Sequence, residues 1–190
     1  ILDPVNRRQY PGRVHMRDGR IVEIEESDDV DDGFLLPGFV DAHVHIDSSM
    51  LVPSQFARLA VRHGTVATVS DPHEIANVLG VPGVEYMLAD ADRVPLVVAF
   101  GAPSCVPATP FESAGAVMGP EDVARLLDDP RLGYLSEMMN YPGVVMGLPD
   151  VMEKIQAAHD RGKPVDGHCP QLSGDDLATY INAGIRTEHE

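Results

Sequence analysis

Residues 39 to 47 read Phe39-Val40-Asp41-Ala42-His43-Val44-His45-Ile46-Asp47, an apolar run that ends in side chains able to bind a cation. Phe34-Leu35-Leu36-Pro37-Gly38 leads into it, so the segment enters a buried strand through a turn. On an extended strand, His43 and His45 project to the same side, with Val44 and Ile46 on the other. Two imidazoles on one face can grip one metal ion. An isolated His-x-His pair can equally be structural or superficial, and the decision rests on what the rest of the chain brings to that strand end.

Working outward, the same pattern recurs: a short apolar run, a polar tip, then a helical periodicity. Strands are expected at residues 39–43, 65–70, 96–100, 132–136, 164–167 and 185–187, and helices at 54–62, 84–92, 121–127, 149–160 and 174–182. Pro53, Pro120 and Pro149 stand at helix starts and Gly64, Gly162 and Gly184 just past helix ends, as capping asymmetry requires. This βα rhythm specifies a parallel sheet. From His43 through Asp71, Ser104, Glu137 and His168 to His189 the polar tips are spaced by 28, 33, 33, 31 and 21 residues. A closed (β/α)8 barrel spends roughly 31 residues per unit. The expected fold is therefore α/β, an incomplete (β/α)8 barrel of about six units, with a doubly wound open sheet as the alternative.

The polar tips favour the barrel, because its active sites form at the C-terminal ends of the strands. The tips are Asp41 to Asp47, Asp71-Pro72-His73-Glu74, Ser104-Cys105, Glu137, Asp166-Gly167-His168 and Glu188-His189-Glu190. His43, His45, His168 and His189 with one or more carboxylates form an imidazole and carboxylate donor set, suited to Zn, Mn or Fe in an open catalytic site. Cys169 would face away from His168 on a strand and is read as packing. Two cations need an anionic bridge. The chain has two lysines, Lys154 in a helical pattern and Lys163 in a turn, so no modified lysine is available at the fourth strand end, where Glu137 stands. A surface glutamate is the alternative, but Leu135, Met138 and Met139 around it point to burial, and a buried acid wants a cation or an arginine.

Before these strands, residues 14–17 and 20–25 alternate apolar with polar around Asp18-Gly19, which specifies a hairpin. Residues 27–33 are an acidic, turn-rich connector. Residues 1–36 are expected to be part of a small β-domain and residues 37–190 the barrel portion.

The chain of 190 residues carries 30 Asp plus Glu against 14 Lys plus Arg, a formal net charge of -16, which disfavours nucleic acid as a partner. It contains no apolar run long enough to span a membrane and no signal-peptide pattern. Cys105 and Cys169 stand far apart with no Cys-x-x-Cys pair, so neither a disulfide framework nor a thiolate zinc site is expected. A soluble, cytoplasmic protein is expected. Walker A, Gly-x-Ser-x-Gly and Gly-x-Gly-x-x-Gly motifs are absent from the sequence.

Pro37-Gly38-Phe39-Val40-Asp41-Ala42-His43-Val44-His45 resembles the opening metal motif of the amidohydrolase superfamily. Ser48-Ser49-Met50-Leu51, the run from Asp71-Pro72-His73-Glu74 to Gly80, the run from Pro103-Ser104-Cys105 to Pro110, Glu137-Met138-Met139-Asn140 and Pro164 to His168 narrow the resemblance to the adenine deaminase family. The resemblance implies a metal-dependent barrel with a small β-domain built from both chain ends, converting adenine and water to hypoxanthine and ammonia in purine salvage. It implies a binuclear divalent centre, Mn2+ or Fe2+ before Zn2+, in which His43 and His45 bind one metal, Glu137 bridges, and His168 and His189 bind the second. His73 and Glu74 are the candidates for proton transfer or for reading the purine edge, and Asp71 and Ser104 for substrate binding. The alternative for Asp71 to Glu74 is a helix cap with incidental polar residues. A homo-oligomer acting on the small molecule adenine is expected, with no membrane partner.

Superfamily members also carry a metal-bound aspartate at the end of an eighth strand. This sequence runs from Ile1 to Glu190 and reaches only the sixth, so it is expected to be an N-terminal piece of a longer protein and inactive alone. Other readings remain: an amidohydrolase acting on another purine or cyclic amide, or a non-catalytic metal-binding module.

Overall fold

A parallel strand pair cannot be closed by a tight turn, so each successive strand must be reached through a crossover, usually a helix. When every crossover also steps in the same direction along the sheet, consecutive strands lie side by side in chain order and the sheet curls. The computed structural model, which describes residues 1–109 and 111–189, has this arrangement. Pro110 and Glu190, named above within two motifs, lie outside the described residues.

The chain divides into two compact units, residues 1–39 and 40–190. The first contains two antiparallel pairs, β1 (Leu2–Asp3) with β2 (Arg8–Gln9) and β3 (Gly12–Arg17) with β4 (Arg20–Glu26). Asp18 and Gly19 turn between β3 and β4 with φ of 52° and 73°. Two successive positive φ values match the right-handed twist of a hairpin, which is why Asp-Gly serves there. Met16, Ile21, Val22 and Ile24 of this hairpin are exposed.

The six strands of the barrel portion are β5 (Phe39–Val44), β6 (Thr65–Ser70), β7 (Val97–Pro103), β8 (Leu132–Met138), β9 (Val165–Gly167) and β10 (Ile185–Thr187). They lie in the order β10-β9-β8-β7-β6-β5, and the pairs from β6 to β10 are parallel. The order never reverses, as it must in a doubly wound sheet. The result is a curled half-barrel of six strands rather than the doubly wound alternative.

The connecting helices are α1 (Pro53–Ala60), α2 (His73–Leu79), α3 (Val81–Ala91), α4 (Pro120–Leu127), α5 (Tyr141–Val145), α6 (Pro149–Asp160) and α7 (Gly174–Asn182). Two of them, α2 and α5, were not expected, and α3 starts three residues earlier than its apolar pattern indicates. Both missed helices are under two and a half turns, too short for a periodicity to register. Pro82 explains the early start of α3, since it sits in the first turn where its missing N–H costs nothing.

The core lies between the sheet and the helices, with Phe100, Leu132, Leu135, Val165 and Ile185 from strands against Val123, Leu127, Val151, Ile155 and Ala158 from α4 and α6. Lys163 donates its ammonium to the carbonyls of Leu127, Asp129 and Leu132, at the start of β8 and so at the opposite end from the ligand-grade residues. Lys154 is buried on α6 and pairs with Asp150 at 3.1 Å.

Two features fix the end of β9. A Cβ on Gly167 would lie 2.4 Å from the carbonyl oxygen of Thr187, so only glycine permits the close approach of β10. Tyr180 on α7 is 1% exposed; its hydroxyl donates to the Met138 carbonyl at 2.9 Å and accepts the His168 N–H at 3.0 Å. Tyr180→Phe strands a carbonyl at the end of β8 and an N–H at the end of β9. The expected loss is about 1–3 kcal/mol of stability, read from urea denaturation against wild type, because unsatisfied buried groups carry their full desolvation cost.

Candidate metal centre

Strand alternation and the curl of the sheet bring the polar tips to one point. Glu137, the penultimate residue of β8, stands at that point and is 3% exposed. Its Oε1 lies 3.0 Å from His189 Nε2, 3.4 Å from His43 Nε2 and 3.4 Å from His168 Nδ1. Its Oε2 lies 3.3 Å from His45 Nε2 and 3.4 Å from His73 Nδ1. Five imidazoles therefore surround one carboxylate, divided three and two between its oxygens.

The rings crowd one another as well. His43 Nε2 and His45 Nε2 are 3.0 Å apart, and the His43 and His189 rings stack at 3.8 Å. Two groups of potential ligand atoms, His43 with Glu137 and His189, and His45 with His73 and Glu137, each fall within 4.8 Å of one another. Glu137 belongs to both. Nitrogen and carboxylate donors without thiolate, sharing one buried acid, fit a pair of divalent cations bridged by that acid. Cys169 does not join them: it is buried, and its N–H donates to a Glu188 carboxylate oxygen at 3.0 Å.

The residues beside the centre are tied to it through α2. Asp47, in the 3-10 turn after β5, accepts the Ile75 N–H of α2 at 2.9 Å. Ser48 of the same turn donates to a Glu74 carboxylate oxygen. Glu74 Oε2 lies 3.4 Å from His45 Nδ1, and His73 Nδ1 is 2.9 Å from Asp71 Oδ2. Asp71 is 2% exposed and Ser104 1%, the Ser104 hydroxyl donating to the Glu137 backbone carbonyl at 2.6 Å. Of the sequence-derived candidates, His43, His45, His168 and His189 converge on Glu137. His73 joins them, although the sequence points to it for proton transfer or for reading the purine edge and not as a neighbour of Glu137. It sits in the first turn of a helix rather than on a strand, so strand alternation gave no sign of its approach.

Burial and charge divide these groups into cations and anions. Burial would raise Glu137, but the His45 hydrogen bond and the charges of His45, His43 and His73 outweigh it and hold the carboxyl below its ordinary value. His45, bonded to Glu137 and Glu74, is pushed up to about 11. Burial of Glu74 is likewise overcome by the His45 and Ser48 hydrogen bonds, bringing it down to about 2. His43 is instead lowered, burial outweighing the attraction of Glu137. Burial also raises Asp71 and takes Asp47 up to about 6.

Comparison with known proteins adds a family. Residues 34–190 match the family model described as the amidohydrolase family. The chain is 64% identical over all its 190 residues to an adenine deaminase of Salinibacter ruber and 60% identical to one of Methanosarcina acetivorans. It spans 35% and 34% of the lengths of those two proteins. Among solved structures it is similar to the N-isopropylammelide isopropylaminohydrolase of Burkholderia multivorans, with a TM-score of 0.53 and 17% identity over 90% of this chain and 52% of that one.

The charges carry a pH signature in metal-free protein. His45 is raised from 6.5, so its contribution to stability is complete below that value and lost as pH rises toward about 11. Glu137 is lowered from 4.5, so its contribution is present above that value and lost as pH falls through the lowered one. After chelation the thermal midpoint should fall progressively between pH 7 and 10, and His45→Gln should flatten that slope. Equal slopes in the two proteins would contradict the assignment of charge to His45.

Proposed function

The chain belongs to the amidohydrolase family, and from that premise we propose that it supplies the metal-binding half-barrel of an adenine deaminase, which hydrolyses adenine to hypoxanthine and ammonia. The observation that carries the reading is Glu137, a buried acid shared by two groups of imidazoles. The substrate comes from the adenine deaminases that match this chain from end to end.

In this reading His43, His45, His168 and His189 are metal ligands and Glu137 is the bridge. When bound, a divalent pair would be held by these residues and would supply an activated water near neutral pH. Mn2+ or Fe2+ are the proposed metals, with Zn2+ acceptable to the same donors, since availability rather than donor type decides among them. The chain's own groups handle the rest. Attack at the ring carbon bearing the amine requires a proton on the adjacent ring nitrogen and another on the departing ammonia. His73 and Glu74 lie beside the centre, with His73 Nε2 3.8 Å from Glu74 Oε1. They are placed to move those protons or to read the purine edge, and Ser48 holds the glutamate in place.

We also place the reaction in purine salvage in the cytoplasm. Two buried free cysteines suit a reducing compartment, and no helix among the described residues is long and apolar enough to cross a membrane. Residues 1–36 are proposed to belong to a small β-domain completed by later sequence. Exposed strand edges favour a homo-oligomer.

Purified with manganese and little iron, the full-length gene product should show the ultraviolet change from adenine to hypoxanthine, with guanine and dihydroorotate unchanged. Glu137→Gln should bring the rate to background, and residues 1–190 alone should give none. Turnover of guanine or dihydroorotate in place of adenine would replace the substrate while keeping the family. Normal turnover by the 190-residue chain would refute the need for further strands.

A further inference from the structure

Asp71 follows β6 directly and is 2% exposed, too deep to meet a substrate that approaches from the strand ends. Its groups face two of the five histidines instead. The carboxylate Oδ2 lies 2.9 Å from His73 Nδ1, and the backbone carbonyl 3.2 Å from His45 Nδ1. The other carboxylate oxygen, Oδ1, is buried and has no hydrogen-bond partner among the described residues. Its short bond is to His73, with the Ser136 hydroxyl also facing the carboxyl group.

An imidazole nitrogen carries one hydrogen or one lone pair in the plane of the ring. His73 Nδ1 has two acceptors nearby, Asp71 Oδ2 at 2.9 Å and Glu137 Oε2 at 3.4 Å. The 2.9 Å contact lies at the favoured hydrogen-bond length and the 3.4 Å contact is the weaker of the two. With Oδ2 as the acceptor, the hydrogen of this bond sits on Nδ1, and that nitrogen then has no lone pair to offer a metal. The free nitrogen is then Nε2, on the side of Glu74, whose side chain is 36% exposed. His45 is treated the same way. Its Nδ1 faces the Asp71 carbonyl, leaving Nε2 for the Glu137 side, which is the outer-shell arrangement that orients metal-bound histidines.

We propose that Asp71 is the positioning residue of the centre: it fixes His73 with Nδ1 protonated, which excludes His73 from the ligand set through that nitrogen and turns Nε2 toward the substrate side. This deepens the adenine deaminase reading and rests on it for the identity of the reaction, but the orientation itself does not depend on which substrate is used. It also reassigns Asp71 from the substrate contact suggested by its sequence motif to a contact with His73. The arrangement follows the logic of an acid that holds a histidine in one tautomer for another partner.

The test uses the full-length protein loaded with zinc, labelled with 15N at histidine and compared with His73→Gln to assign the resonance. Long-range proton–nitrogen spectra should show His73 with its hydrogen on Nδ1 and a lone pair on Nε2. A lone pair or a metal shift on Nδ1 would overturn the proposal whether or not adenine is turned over. In parallel, Asp71→Asn should keep the wild-type metal content while kcat on adenine falls 10- to 100-fold with little change in KM, the usual range for losing such a partner. Asp71→Glu should recover part of kcat. Loss of metal in step with activity, or an unchanged kcat, would show that Asp71 serves the ligand set or the fold rather than the orientation of His73. If wild type fails on adenine but the spectrum shows Nδ1 protonated, the substrate reading falls and the positioning role stands.

Discussion

A carboxylate with 3% of its surface exposed needs partners, and Glu137 has five histidines drawn from four places in the chain. This grouping organises the structure around it. It needs the ends of β5, β8 and β9, the segment after β10 and the first turn of α2 within one small volume. A sheet wound in one direction delivers this because successive strands lie adjacent and their C-terminal ends converge. A sheet with a reversal would have placed the early and late strands on opposite flanks.

The supporting contacts are directed at the same point. Tyr180 ties β8 to β9 beside His168, Gly167 lets β10 approach, and Asp47 draws α2 toward the loop after β5. Each acts on backbone rather than on a ligand atom. They set where the imidazoles start, and Glu137 and Asp71 are the acids that the nitrogens meet. The two lysines lie elsewhere: Lys163 caps carbonyls at the far end of the strands and Lys154 pairs on α6, so the charged group at the end of β8 is the glutamate.

Much of this was legible in the sequence for a physical reason. Alternation along a strand is a strict period of two, so His43 and His45 had to share a face, and the near-constant spacing of the polar tips had to come from a repeated unit. The strands at 65–70 and 185–187 and the helices at 149–160 and 174–182 have the expected limits. What stayed hidden depends on three-dimensional approach rather than on period. The short helices α2 and α5 carry too few residues to show a moment. The place of His73 against Glu137 depends on how α2 is drawn in by Asp47, and the division of histidines between the two carboxylate oxygens depends on side-chain rotamers. The role of Tyr180 also stayed hidden, because nothing in a linear pattern indicates which backbone groups its hydroxyl will meet.

The proposed role of Glu137, one buried acid shared by two cations, is read from the metal content. Elemental analysis of the full-length protein, dialysed after saturation with manganese, should give two ions per chain. In the same analysis Glu137→Gln should retain one or none while its circular dichroism stays that of wild type. Two ions per chain retained by a folded Glu137→Gln variant would refute that shared role.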